Sequence, residues 1–202
     1  GFIIPKKGYL KRIKERCEKV GALLILDEIQ PGFGRTGSFF AFEKHGISPD
    51  IIVMGKGMGG GLPIGAFSSS KKHMSLFQKN PKLGHITTFG GNPVIAASAL
   101  ATIKEIKDSK LLEKISDKEK LFRKYLIHKK IKKINGKGLM LALIFESKEI
   151  ASRLIKESIK EGLLLFWLLW EKRAVRISPP LNIKNKEIKI GCKIIIKILD
   201  KI

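Results

Sequence analysis

Acidic residues are scarce in this 202-residue chain: 18 Asp and Glu stand against 40 Lys and Arg, and none falls between Ile51 and Lys104. Cysteine is scarcer still, with only Cys17 and Cys192, far apart in the chain. That spacing excludes a disulfide framework and a zinc site, so both are read as buried thiols. Long apolar runs are missing as well. The longest, Leu163–Trp170, falls well short of the ~18 residues that a membrane-spanning helix requires. The start, "GFIIPKKGYLKRIKERC", lacks the apolar core and small-residue cleavage site of a secretory signal. The expectation is a soluble, cytoplasmic protein, and Gly1 in place of Met points to a piece of a longer chain. Internal repeats and low-complexity linkers are absent.

What is present is a net charge of +22 and a 44% hydrophobic composition. The length and apolar content suit one large domain or two small ones. Such a charge is the electrostatic footprint of a nucleic-acid binder. The lysines are nevertheless spread over most expected helix faces, as in "KEIKDSKLLEKISDKEKLFRKYLIHKKIKK", with no basic stripe of interleaved aromatics. A solvated lysine-rich surface is the favoured reading, and a basic nucleic-acid-binding module the rival.

Hydrophobic spacing predicts a helix over Tyr9–Val20, with Tyr9, Ile13, Cys17 and Val20 on one face and Gly21 as its stop. "ALLILDEIQ" and "IIVMGK" read as buried parallel strands, apolar on both faces and charged at their carboxyl ends. Between them lie the glycine loop "PGFGRTGSF" and a short helix, "AFEKHGISPD". "PIGAFSSS" is a third strand, and "NPVIAASALATIKEI" a helix continuing into, or stacked beside, a charged one that reaches about Lys133. From there the chain reads as strand "KGLMLALIFES", helix "KEIASRLIKESIKEG", strand "LLLFWLLW", the segment "AVRISPPLNI" and a last helix with Ile188, Cys192, Ile195, Ile196 and Leu199 on one face. The expected division is residues 1–110 and an α+β part at 111–202. "LLLFWLLW" is read as core rather than as a substrate contact.

Gly55, Gly57 and Gly60 satisfy the dinucleotide pattern G-x-G-x-x-G directly after a strand. Context rejects it, because Pro63 sits where the phosphate-binding helix would run and the ribose-binding acid is absent. An acid-free stretch with Lys56, Thr87, Thr88 and several glycines instead suits a phosphate ester. A lysine at the end of a buried strand is placed to be desolvated and nucleophilic, although snorkelling to solvent is the common fate of such a residue. Asp27 ends the neighbouring strand. Pyridoxal phosphate asks for a lysine, an acid at its pyridine nitrogen and a phosphate cradle, and all three are available. Gly55 and Gly57 would leave room for a flat ring, and Gly59–Gly61 would turn the chain.

"LLILDEIQPGFGRTGSFFAFEKHGISPDIIVMGKGMGGGLPIGA", "TTFGGNP" and "RISPPL" resemble, in order and spacing, the C-terminal half of class III pyridoxal-phosphate aminotransferases. These include the acetylornithine, ornithine and 4-aminobutyrate aminotransferases. The resemblance implies an α/β fold of fold type I: part of a large domain with a mixed, mostly parallel sheet, followed by a small C-terminal α+β domain. It implies Lys56 as the Schiff-base residue, Asp27 at the pyridinium nitrogen, Gln30 near the phenolic oxygen and Thr88 on the phosphate of a neighbouring subunit. Arg176 would hold a substrate carboxylate, a bidentate task, against the plainer reading of a surface ion pair. Glu28, Arg35 and Thr36 match the motif with loop and interface roles, and His85 is not asked for chemistry.

The implied enzyme is a homodimer with shared sites. It would move an amino group from an ω-amino acid, N-acetylornithine first and ornithine or 4-aminobutyrate as alternatives, to 2-oxoglutarate. Pro31 departs from the family's usual threonine. The N-terminal half that completes the family's cofactor and substrate sites is not in this sequence, so a split or inactive fragment is the further alternative. No metal is implied.

Overall fold

The computed structural model describes residues 1–82 and 85–202. Its contacts divide into a first unit, Pro5–Gly34 with Ser38–Lys110, and a second, Leu111–Ile202 with Gly1–Ile4 and Arg35–Gly37.

In the first unit, helix α1 (Tyr9–Val20) lies between Gly8 and Gly21, both left-handed. Positive φ at these ends suits glycine and lets the chain turn into and out of the helix. No α1 residue is buried, so the apolar stripe found in the sequence is open, with Val20 54% exposed. Cys17 is accordingly half-buried rather than buried. Lys14 Nζ donates to both Asp50 oxygens at 2.9 Å, and Asp50 Oδ2 accepts the Leu24 N–H at 2.7 Å. One carboxylate thus ties α1 to the entrances of two strands.

Those strands are β1 (Ile25–Asp27) and β2 (Ile51–Gly55), paired in parallel, while β3 (Gly65–Ser69) runs antiparallel to β2. The sheet is mixed, in the order β1-β2-β3. "ALLILDEIQ" forms a shorter and more open strand than its apolar run suggests, with Ile25 55% exposed. As an edge strand, β1 has a hydrogen-bonded neighbour on one side only. It stops because Asp27 Oδ1 accepts the Ile29 N–H at 2.9 Å, an Asx turn that competes with the ladder. The short helix α2 (Lys71–Met74) follows β3. Helix α3 (Pro93–Asp108) starts where Asn92 Oδ1 accepts the Val94 and Ile95 N–H groups, with proline in its first turn.

The second unit begins with α4 (Leu111–Tyr125). Lys110, left-handed at φ 54°, separates it from α3, and it ends well before Lys133. The residues expected to extend it, 126–132, form a turn instead, and β4 (Lys133–Lys137) follows, hairpinned to β5 (Met140–Ile144). The lysines of "KKIKKINGK" resemble a charged helix face, but glycine turns decide the outcome. Gly138 has φ 61°, and a Cβ there would stand 2.6 Å from the Arg35 carbonyl oxygen. Leu139 N–H bonds that same oxygen at 2.9 Å.

Helix α5 (Lys148–Lys160), strands β6 (Phe166–Trp167) and β7 (Ala174–Ile177), and helix α6 (Asn185–Lys201) complete the unit. The antiparallel sheet has the order β4-β5-β7-β6. Phe122 of α4, Leu141 and Leu143 of β5, Leu154 of α5, Val175 of β7 and Ile188 and Leu199 of α6 belong to one buried core. Each such side chain contributes about 1.5–3 kcal/mol. "LLLFWLLW" joins it only in part: Leu165 belongs to the core and Leu163 packs against it. Leu165 is buried, but Leu164, Leu169 and Trp170 are 84%, 86% and 96% exposed, because β6 is a two-residue edge strand.

Candidate active site

Lys56 follows β2 directly and takes a left-handed φ of 43°, opening a one-turn 3-10 helix over Lys56–Gly59. A non-glycine residue there is held against its preference. The holding groups come from α3. Ser98 Oγ donates to the Gly59 carbonyl at 2.8 Å, and a Cβ on Gly60, at φ 60°, would run into Thr102 Oγ1. Gly57 has open space, its nearest foreign atom being Phe33 Cβ at 3.9 Å, whereas a Cβ on Gly55 would meet the Ile64 carbonyl oxygen at 3.0 Å. Of the two glycines expected to make room for a ring, Gly57 does so; Gly55 serves the close approach of β2 and the returning chain.

Asp27 ends β1 on the adjacent parallel strand, level with Val53. With strands ~4.8 Å apart and a rise of ~3.3 Å per residue, the Asp27 and Lys56 Cα atoms lie roughly 11 Å apart. That separation leaves room for a planar ring between the two side chains, and no ion pair joins them among the described residues. Both residues lie at strand carboxyl ends, where α/β sheets bind ligands. Asp27 anchors Oδ1 on Ile29 N–H; its Oδ2 and the Lys56 amine have no hydrogen-bond or ion-pair partner among the described residues. Both side chains are exposed, which overturns the expectation that this chain itself desolvates them. The open edge at β1 and the outward turn after β2 are the reason.

An anchored carboxylate with one free oxygen, a free amine and an open glycine floor fit the pyridine nitrogen, aldehyde and ring of pyridoxal phosphate. Gln30 follows in the Asp27 turn and is half-buried, while Thr88 is exposed in the turn preceding α3. No contact among the described residues joins Thr88 to Lys56. His85 packs against the Phe77 ring, with centroids 5.2 Å apart. No cluster of metal-ligating residues occurs among the described residues.

Glu28, beside Asp27, has a supporting role. It is 2% exposed, and its carboxylate accepts the Ala41 and Phe42 N–H groups, each at 3.0 Å. Burial pushes its pKa up against those two hydrogen bonds, with Glu43 and Asp27 adding to the rise. It thereby fixes the crossover between β1 and β2.

In the second unit, Arg176 on β7 has no carboxylate partner among the described residues; its guanidinium lies over the Phe166 ring, 5.0 Å from the centroid. A surface ion pair is therefore not its environment. Arg35 is half-buried and donates from Nη1 to the carbonyls of Leu139 and Pro179. Burial first, and then the charge of Arg176, pull the Arg35 pKa below the ordinary arginine range. Phe166 was hidden within an apolar run, and the signal that could have marked it is its cross-strand register with Arg176.

A lysine and an aspartate at the ends of adjacent strands of one α/β sheet supply two of the groups that pyridoxal phosphate asks for. The family model for class-III aminotransferases matches residues 1–199, and the chain belongs to that family, whose members depend on pyridoxal phosphate. Putrescine aminotransferase from Pectobacterium atrosepticum is 39% identical over 194 residues, covering 93% of this chain and 41% of that protein. The structure of acetylornithine aminotransferase from Elizabethkingia anophelis matches with a TM-score of 0.89 at 33% identity, over 98% of this chain and 51% of that one. An ornithine aminotransferase structure from Toxoplasma gondii, with partial occupancy of PLP at its active site, matches with a TM-score of 0.88 at 33% identity, over 98% of this chain and 47% of that one. The chain spans about half the length of the relatives it matches. No helix among the described residues is long and apolar enough to cross a membrane.

Proposed function

We propose that this chain contributes the lysine-bearing half of a pyridoxal-phosphate-dependent aminotransferase, transferring an amino group from an ω-amino acid to 2-oxoglutarate. The observation that carries the reading is the placement of Asp27 and Lys56 at the carboxyl ends of adjacent parallel strands, above an open glycine floor. Residues 1–110 are assigned to the large cofactor-binding domain and residues 111–202 to the small domain. N-acetylornithine is the favoured donor. The relative named as a putrescine aminotransferase supports a diamine as the second reading.

Bound pyridoxal phosphate supplies the electron sink that stabilises the carbanion left when the donor carbon loses its proton. Asp27 Oδ2, left free by the Ile29 bond to Oδ1, would accept the ring N–H and keep that nitrogen protonated. Lys56 Nζ would hold the cofactor and, once free, would take the donor's proton and return it, as general base and then acid. Gly57 keeps a side chain off the ring face. Arg176 grips a carboxylate of the substrate with its two-pronged guanidinium. The exposure of Thr88 supports a homodimer in which it reaches a partner's phosphate, and the exposure of Lys56 supports a need for the family's N-terminal half.

Adding pyridoxal phosphate to the chain, alone and co-expressed with the N-terminal half of a relative, should give a visible band. Borohydride trapping should leave the cofactor's mass on the Lys56 peptide, and Lys56→Ala should lose both signals. A folded, co-expressed sample with neither signal, but with salt-sensitive RNA binding, would favour the nucleic-acid module.

A further inference from the structure

We propose that Arg35 is a positioning residue of the Arg176 carboxylate subsite. It holds the chain just after β7 and adds a second positive charge that a bound carboxylate neutralises. The inference rests on the reading of Arg176 given above. Arg35 Nη1 donates to the carbonyls of Leu139 and Pro179, so one guanidinium bridges the β4–β5 turn to a residue three positions beyond Arg176. The backbone that presents Arg176 is thereby fixed at its exit. The Arg35 carbonyl completes the grip by accepting the Leu139 N–H at 2.9 Å.

Charge gives the second argument. Arg123 and Arg173 of the same unit each pair with a glutamate, Glu119 at 3.0 Å and Glu171 at 2.9 Å. Arg35 and Arg176 have no acid among the described residues, although Arg35 is half-buried and close enough to Arg176 to feel its charge. A partly desolvated cation without a counter-ion is unfavourable, and a second cation beside it adds to the cost. An incoming carboxylate removes both penalties. Phe166, paired across the strands with Arg176 and lying beneath its guanidinium, holds the plane of the fork flat. The ligand class is thus a small carboxylate whose affinity depends on two guanidinium groups.

Glutarate is a suitable probe because it carries carboxylates and no amine or keto group. Its Kd is measured by calorimetry on the full chain at two ionic strengths, with near-UV circular dichroism and Tm as checks on folding. Wild type should bind; Arg176→Ala should abolish binding; and Arg35→Gln, which removes a charge that does not itself grip the carboxylate, should weaken it about tenfold. Arg35→Gln should also flatten the salt dependence. Arg35→Lys keeps the charge and loses the fork, so it should weaken binding while leaving the salt dependence intact.

A folded Arg35→Gln with wild-type Kd and salt slope overturns the role of Arg35 and leaves the reading of Arg176 standing. Should Arg35→Gln fail to fold, wild-type affinity in Arg35→Lys overturns it equally. An Arg176→Ala chain that binds as wild type, or a wild type that does not bind, overturns the Arg176 reading itself.

Discussion

Glu119 Oε2 accepts the Gly138 N–H at 2.7 Å, joining α4 to the β4–β5 turn through a carboxylate that is 6% exposed. Arg123 Nε donates to Oε1 at 3.0 Å, and Lys137 Nζ stands 3.2 Å from Oε2. Burial alone would raise this carboxyl's pKa. The hydrogen bonds from Gly138, Arg123 and Lys137 outweigh burial and hold it below the ordinary glutamate value. Because the folded pKa is the lower one, the stabilisation is complete above the unfolded-state pKa and is lost as pH falls through the folded one. Glu119→Gln should cost about 1–3 kcal/mol at neutral pH and flatten the acid limb of a stability–pH curve. Urea midpoints at pH 7 and pH 3 measure both; an unchanged acid limb would refute the assignment.

The two thiols should behave differently. Cys192 is buried in the α6 core face, and burial pushes its thiol up to about 12. Cys17 lies half-buried on α1. A disulfide reagent at pH 8 should titrate one thiol in the folded protein and the second only in guanidinium, since thiolate and access are both needed. Two fast-reacting native thiols would contradict the packing of α6.

Gly60→Ala places a methyl group against Thr102 at a positive φ. The expected loss is about 2 kcal/mol, part steric and part backbone strain. Adding Thr102→Ala should restore the steric part and leave the strain, so a double-mutant cycle in chemical denaturation should show coupling. Strict additivity would place the two residues out of contact.

Strain at Lys56 makes a separate claim. Its left-handed φ disfavours any residue with a Cβ, so Lys56→Gly should be more stable than Lys56→Ala by about 1 kcal/mol. Both should lack the pyridoxal-phosphate band. Equal unfolding midpoints would mean that the turn relaxes in solution.

Much of this architecture could be read from residue patterns. Gly21 ends its helix as expected, and the charged strand ends carrying Asp27 and Lys56 emerge from apolar runs. The failures share a cause. "ALLILDEIQ" and "LLLFWLLW" are apolar enough to suggest burial, yet β1 and β6 occupy sheet edges, and edge position depends on strand order rather than composition. β4, "KINGK", has no apolar run to mark it, and the turn at Gly138 that closes its hairpin depends on Arg35, which is distant in sequence. The aromatic plate beneath Arg176 likewise exists only through register.

The parallel pairing of β1 with β2 has a consequence for the order of folding. β2 reaches β3 through the short connection at residues 56–64, whereas β1 reaches β2 only through the long crossover at residues 28–50. Closing the shorter loop costs less chain entropy, and local antiparallel pairs form on a scale of about 1–10 μs. The strand leading to Lys56 should therefore come into register before the strand carrying Asp27. Amine and carboxylate come into mutual register only in the later, non-local step, so a slowed crossover would yield a sheet with its lysine in place and its acid absent.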